Sequence, residues 1–122
     1  MKRSLAILAL PAALLFAGPA FAQSMCVVAG NQPIMGANMS ADFDVAAGKS
    51  CMYDIKPRGT LTSAAVTQPP QNGTIKMVDK DTISYEPKAG FHGTDSFAIT
   101  ATGKSVDEKP GTSVLSFKVN VK

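Results

Sequence analysis

The side chains best equipped for chemistry in this chain are one histidine, two cysteines, six methionines and a few closely spaced carboxylates. His92 has no second histidine to work with, so no zinc site built on a His pair can form around it. No nucleophile, base and stabiliser can be assembled from it and the scattered acids. Asp42 and Asp44 in "ADFD", and Asp79 and Asp81 in "VDKD", alternate, so each pair falls on one side of an extended chain. Hard-cation binding would suit that spacing, but a calcium site needs six or more oxygens, and neither stretch supplies a full loop of ligands. A glycosidase pair would have to face itself across a cleft, and nothing in the sequence implies one. No Gly-rich phosphate loop precedes a helix, so nucleotide binding lacks support. Sulfur offers more. Met25 adjoins Cys26, Met52 adjoins Cys51, and Met35 and Met39 fall between them. Thioethers and thiolates favour Cu(I). Methionine is also a common filler of core gaps, and pairing of the cysteines would remove both thiolates. No catalytic set, metal ligand set or cofactor is assigned on these residues.

The elements that must position these groups begin with an export signal. "MKRSLAILALPAALLFAGPAFAQS" opens on Lys2 and Arg3, continues through an apolar run, and reaches the small-x-small motif Ala20-Phe21-Ala22. This pattern predicts a secretory signal peptide over residues 1–22, cleaved after Ala22. The run is broken by Pro11 and is shorter than the roughly 20 residues a membrane span needs. The expectation is therefore a periplasmic or secreted domain over residues 23–122 with no membrane span after cleavage.

Without Lys2 and Arg3, ten of the twelve basic residues remain against nine acidic ones, so the exported part is close to neutral. Its lysines and arginines are spread singly, without the clustered footprint that nucleic-acid binding needs. Cys26 and Cys51 are the two cysteines, and an isolated pair in an oxidising compartment is expected to form a disulfide. Closing that loop stabilises a domain by roughly 3.5 kcal/mol in the chain-entropy model.

Period-two alternation dominates the remainder, and no amphipathic helix persists over three turns. "SCMYDI", "LTSAAVTQ", "GTIKMV", "TISYEP", "DSFAITAT" and "VLSFKVNV" read as strands. The last two place Phe97, Ile99 and Ala101, then Leu115, Phe117, Val119 and Val121, on the inner face. Ser96, Ala98, Thr100, Ser116, Lys118 and Asn120 fall outside. "QPPQNG" and "DKD" read as turns, "GKSVDEKPGT" as a polar loop, and "GNQPIMGANMSA" as a long surface loop. Connections this short exclude βαβ crossovers and predict an all-β antiparallel sandwich of about seven strands.

From Pro70 to Val121 the chain resembles the bacterial Ig-like, cadherin-like repeat of large surface proteins. The resemblance rests on "PPQNGTIKMVDKDTISYEPKAGFHGTDSFAITATG" followed by "SVLSFKVNV". Tyr85, Pro87, Gly90, Phe91, Gly93, Asp95 and Phe97 fit the pattern Y-x-P-x-x-G-F-x-G-x-D-x-F. The part before Pro70, with both cysteines, lies outside that pattern, and the repeat is present once instead of in tandem. The resemblance implies an Ig-like sandwich used as a spacer or adhesive unit. A structural corner accounts for these residues by their types alone. Pro87 ends a strand, Gly90 and Gly93 permit reversal, and Phe91, Phe97 and Tyr85 pack together. Asp95 accepts hydrogen bonds from loop amides.

Taken together, these features predict a non-enzymatic exported Ig-like module that meets a protein or cell-surface partner. Ile34, Met35 and Met39 are the exposed apolar residues expected to form its binding loop. The alternative is a small periplasmic copper-binding protein that uses its Met and Cys ligands.

Overall fold

A computed structural model describes residues 24–122 as two packed β-sheets. The expected signal peptide and Gln23 lie outside the described residues. Nine strands follow in order: β1 (Ser24–Met25), β2 (Val28–Ala29), β3 (Met39–Val45), β4 (Cys51–Asp54), β5 (Thr60–Gln68), β6 (Gly73–Asp79), β7 (Thr82–Pro87), β8 (Gly93–Lys104) and β9 (Pro110–Val121). One sheet has the order β1-β4-β7-β6 and the other β2-β3-β9-β8-β5. The sandwich is all-β, and no described helix is long and apolar enough to cross a membrane.

Two details differ from the expected antiparallel arrangement of about seven strands. The sheets are mixed, because β1 pairs parallel with β4 and β3 pairs parallel with β9. Beyond the six strands read from sequence the structure adds β3 and the two-residue β1 and β2, and through these last two the N-terminal segment passes from one sheet to the other. Neither is long enough to show a period.

The core lies where the alternating residues of both sheets meet. Phe43, Tyr85, Phe97 and Phe117 are all nearly or fully buried. The Phe43 ring meets those of Tyr85, Phe97 and Phe117 edge-on at 6.0, 6.2 and 6.3 Å. Tyr85 and Phe117 each stack against Phe97, at 5.9 and 4.9 Å. Such contacts each contribute about 0.5–1.5 kcal/mol beyond simple burial. Ile83, Ile99, Leu115 and Val119 fill the space between.

Ala98 has an outward place in the alternation of β8 but is 6% exposed. Its register partners Gln68 on β5 and Ser116 on β9 flank it, which explains the difference. The polar loop predicted over 103–112 is shorter than expected. Gly103 pairs with Gly111, and the hairpin turns at 105–109. Gly103 is required at this place because β5 crosses so closely that a Cβ would overlap the Thr60 carbonyl.

Candidate functional site

The corner from Tyr85 to Phe97 is built around one buried carboxylate. Asp95 is 4% exposed at the start of β8. Its Oδ2 accepts the Tyr85 hydroxyl at 2.8 Å and the Asn72 amide at 3.2 Å. Its Oδ1 accepts the amides of Ser96 at 2.9 Å and Gln71 at 3.1 Å. A buried acceptor with this many donors meets the requirement that interior polar groups be satisfied. The donating loop amides belong to the β5–β6 connection as well as to the corner itself. Tyr85 is fully buried, and its phenol is pushed well above its ordinary value of 10.0. Burial is the main cause, followed by the hydrogen bond to Asp95 and that carboxylate's charge.

The surrounding residues fit tightly. A Cβ at Gly73 would lie 2.7 Å from both the Tyr85 ring edge and its hydroxyl oxygen. Pro87 is buried at the end of β7, opposite Gly73. Gly90 and Gly93 have φ of +79° and +139°, which a side chain would strain. Phe91 is half-buried against the core, and His92 is exposed beside it. Glu86, Lys88 and Thr94 are exposed along with His92, and among the described residues no group of three His, Cys, Asp or Glu side chains gathers here.

The loop residues divide. Ile34 is 45% exposed, while Met35 is 2% exposed and forms part of the core. The expectation that Met35 is an exposed contact residue is therefore corrected, as is the reading of 30–41 as free loop throughout. Met39 opens β3 and is half-buried. The backbone around Ile34 is held from two sides. Arg58 donates to the Pro33 carbonyl at 2.8 Å, and Met35 donates to the Arg58 carbonyl at 3.0 Å. On the other side the Ser113 hydroxyl donates to the Ile34 carbonyl at 3.0 Å and accepts the Gly36 amide at 2.8 Å. Asn38 Oδ1 accepts the Val114 amide at 2.9 Å. Ser113 was not singled out from sequence. Its signal was a small hydroxyl at an inward place in an otherwise apolar alternation.

Cys26 and Cys51 form a disulfide with an S–S distance of 2.01 Å. The copper alternative loses both thiolates by this bond. Its thioethers are also dispersed, with Met25 and Met52 on one sheet, Met39 on the other and Met35 in the core. Among the described residues no group of three His, Cys, Asp or Glu side chains stands ready for a metal ion. Asp42 and Asp44 face Lys118 and Asn120 across the β3–β9 ladder. Asn120 donates to Asp44 at 3.1 Å, and the Lys122 ammonium lies 3.4 Å from it. Asp79 ends β6, and Asp81 lies in the turn where Thr82 donates to Asp54 at 2.9 Å. An open groove of about 670 Å³ lies beside the N-terminal segment, bordered by Met25, Val27, Asp44, Lys49, Cys51 and Glu86.

Comparison with protein families matches residues 24–120 to the model described as "Bacterial Ig domain". The match includes the cysteine-bearing half, which the sequence pattern alone left outside the resemblance. No curated protein matches the chain. Among solved structures, the chain is similar to an endo-fucoidan hydrolase of glycoside hydrolase family 107, with 18% identity and a TM-score of 0.36. The alignment covers 95% of this chain and 16% of that one, so this chain spans a small part of the hydrolase's length. At that score the likeness carries no inference about activity.

Proposed function

The chain belongs to the bacterial Ig domain family, and from that premise we propose that it is an exported, non-enzymatic module that binds a protein or cell-surface partner. The signal-peptide pattern over 1–22 and the disulfide both support work outside the cytoplasm. A fold does not define its task, so the reading rests on the surface itself. The observation that carries it is Ile34, an exposed apolar side chain on a backbone held by Arg58 and Ser113. A contact residue on a preordered loop loses little conformational entropy when it meets a partner. The Tyr85–Asp95 corner has a separate role in this reading, which is to lock the two sheets together.

The test uses the exported protein immobilised against envelope fractions of the bacterium that encodes it. Ile34→Asp is compared with Val27→Asp, a control on the N-terminal segment that is 84% exposed in the native protein. Retention of a partner should fall at least tenfold for Ile34→Asp alone, as expected for loss of an interface anchor. Equal retention by both variants and the native protein would remove Ile34 from the account.

A further inference from the structure

The N-terminal segment from Ser24 to Ala29 is held to the sandwich by little besides a covalent bond. It pairs with β4 through two residues and with β3 through two more. The Cys26 amide adds a hydrogen bond to the Met52 carbonyl at 2.7 Å. Its apolar side chains contribute little burial, since Val27 is 84% and Met25 50% exposed. Only Val28 and Cys26 pack partly against the core. The groove of about 670 Å³ opens on one flank of the segment. Another space of about 430 Å³, bordered by Ala29, Ser40, Asp42 and Lys118, opens on the other. The four clustered aromatic rings belong to β3, β7, β8 and β9, and none belongs to the segment.

We propose that the Cys26–Cys51 disulfide is a redox catch on a displaceable strap, and that a dithiol reductant releases Ser24–Ala29 to uncover the edges of β4 and β3. These edges end the two sheets on the same side of the sandwich, where the strap passes from one to the other. Once uncovered, they offer unpaired backbone donors and acceptors to an incoming extended strand. The inference does not depend on the role proposed for Ile34.

The exchange proceeds in two steps. A thiolate of the reductant attacks Cys26 Sγ, which belongs to the more accessible of the two residues; Cys51 is 4% exposed. A mixed disulfide forms, and the Cys51 thiolate leaves and takes up a proton. The second thiol of the reductant then attacks its own sulfur partner and expels the Cys26 thiolate, which is protonated in turn. Two electrons and two protons pass to the protein, and the reductant leaves as a disulfide. Cys51 remains in the core as a small apolar residue.

Amide hydrogen exchange of the exported protein, with and without dithiothreitol under native conditions, tests the catch. Alkylation and intact mass establish that both thiols are free. Exchange over residues 24–30 should quicken at least tenfold while β8 and β9 keep their protection. Cys26→Ser should reproduce that pattern without reductant. An unchanged strap in the reduced protein would overturn the proposal, as would a cystine that resists dithiothreitol. Loss of protection in β8 and β9 would overturn it too, by making the bond a staple of the whole fold.

Discussion

Tyr85 donates its phenolic hydrogen to the Asp95 carboxylate at 2.8 Å, and this bond joins β7 in one sheet to β8 in the other. The carboxylate also anchors the Gln71 and Asn72 amides, so three chain segments meet at one side chain. A buried hydrogen bond to a charged acceptor contributes about 1.5–3 kcal/mol. Tyr85→Phe should lower unfolding stability by that amount in urea titration. Asp95→Ala should cost more, because it strands several donors at once. In a double-mutant cycle the two substitutions should be clearly non-additive.

The same tyrosine predicts an alkaline limit. Its phenol is held above 10.0 in the folded protein, and Tyr53 is raised in the same direction by burial. Above pH 10 the unfolded chain loses these protons while the folded chain keeps them. The unfolded state then binds fewer protons, so stability falls as pH rises, by up to about 1.4 kcal/mol per pH unit for the buried Tyr85 and by less for Tyr53, which solvent screens in part. Below that pH the two tyrosines contribute no slope. Tyr85→Phe should flatten the decline between pH 10 and 12 in denaturant titrations, relative to the native protein. Parallel curves for the two proteins would refute the assignment.

Adjacent loop residues should behave oppositely. Met35→Ala should cost about 2–5 kcal/mol, the usual range for emptying a core site. Ile34→Ala should stay within about 0.5 kcal/mol, as surface changes do. Thermal unfolding of the two variants side by side measures the contrast.

Gly103→Ala places a methyl group against the Thr60 carbonyl, which belongs to the backbone and cannot rotate away. Its cost should be about 3 kcal/mol or more, near the upper end for overpacking. Gly90→Ala meets open space and carries only the strain of its φ of +79°, so it should cost less. Equal losses in urea titration would contradict this account of β5 crossing.

The intact mass of the exported protein should begin at Gln23 and be two hydrogens short of the dithiol form. Iodoacetamide without reductant should leave it unchanged. A retained leader or two alkylated thiols would contradict the expected processing and pairing.

Strands β6 to β9 were legible because their alternation and bounding turns are local properties. Phe97, Phe117 and Val119 are buried where the period placed them. β3 was missed even though Met39, Ala41, Phe43 and Val45 alternate with Ser40, Asp42 and Asp44 as regularly as any strand. The two aspartates drew a chemical reading, when their spacing reflects the outer face of a strand opposite Lys118 and Asn120. The parallel pairings join distant segments and leave no local trace. Met35 shows the same limit, since an aperiodic loop does not reveal which apolar side chain turns inward. At Asp95 the sequence motif supplied the residue types, but the donors from Gln71 and Asn72 depended on tertiary placement.

The parallel β3–β9 ladder also determines how the domain carries tension. Its seven matched pairs run from Met39 and Leu115 to Val45 and Val121. Traction entering β3 from its N-terminal end and leaving β9 at its C-terminal end loads these rungs in shear, so they resist together instead of opening one by one. With the cystine intact, however, traction at Ser24 passes through Cys26 to Cys51 and bypasses β3 altogether. The load then enters at β4. One sulfur–sulfur bond thus selects between two mechanical paths through the same sandwich, and extension at constant force should show two distinct rupture lengths with the bond closed and open.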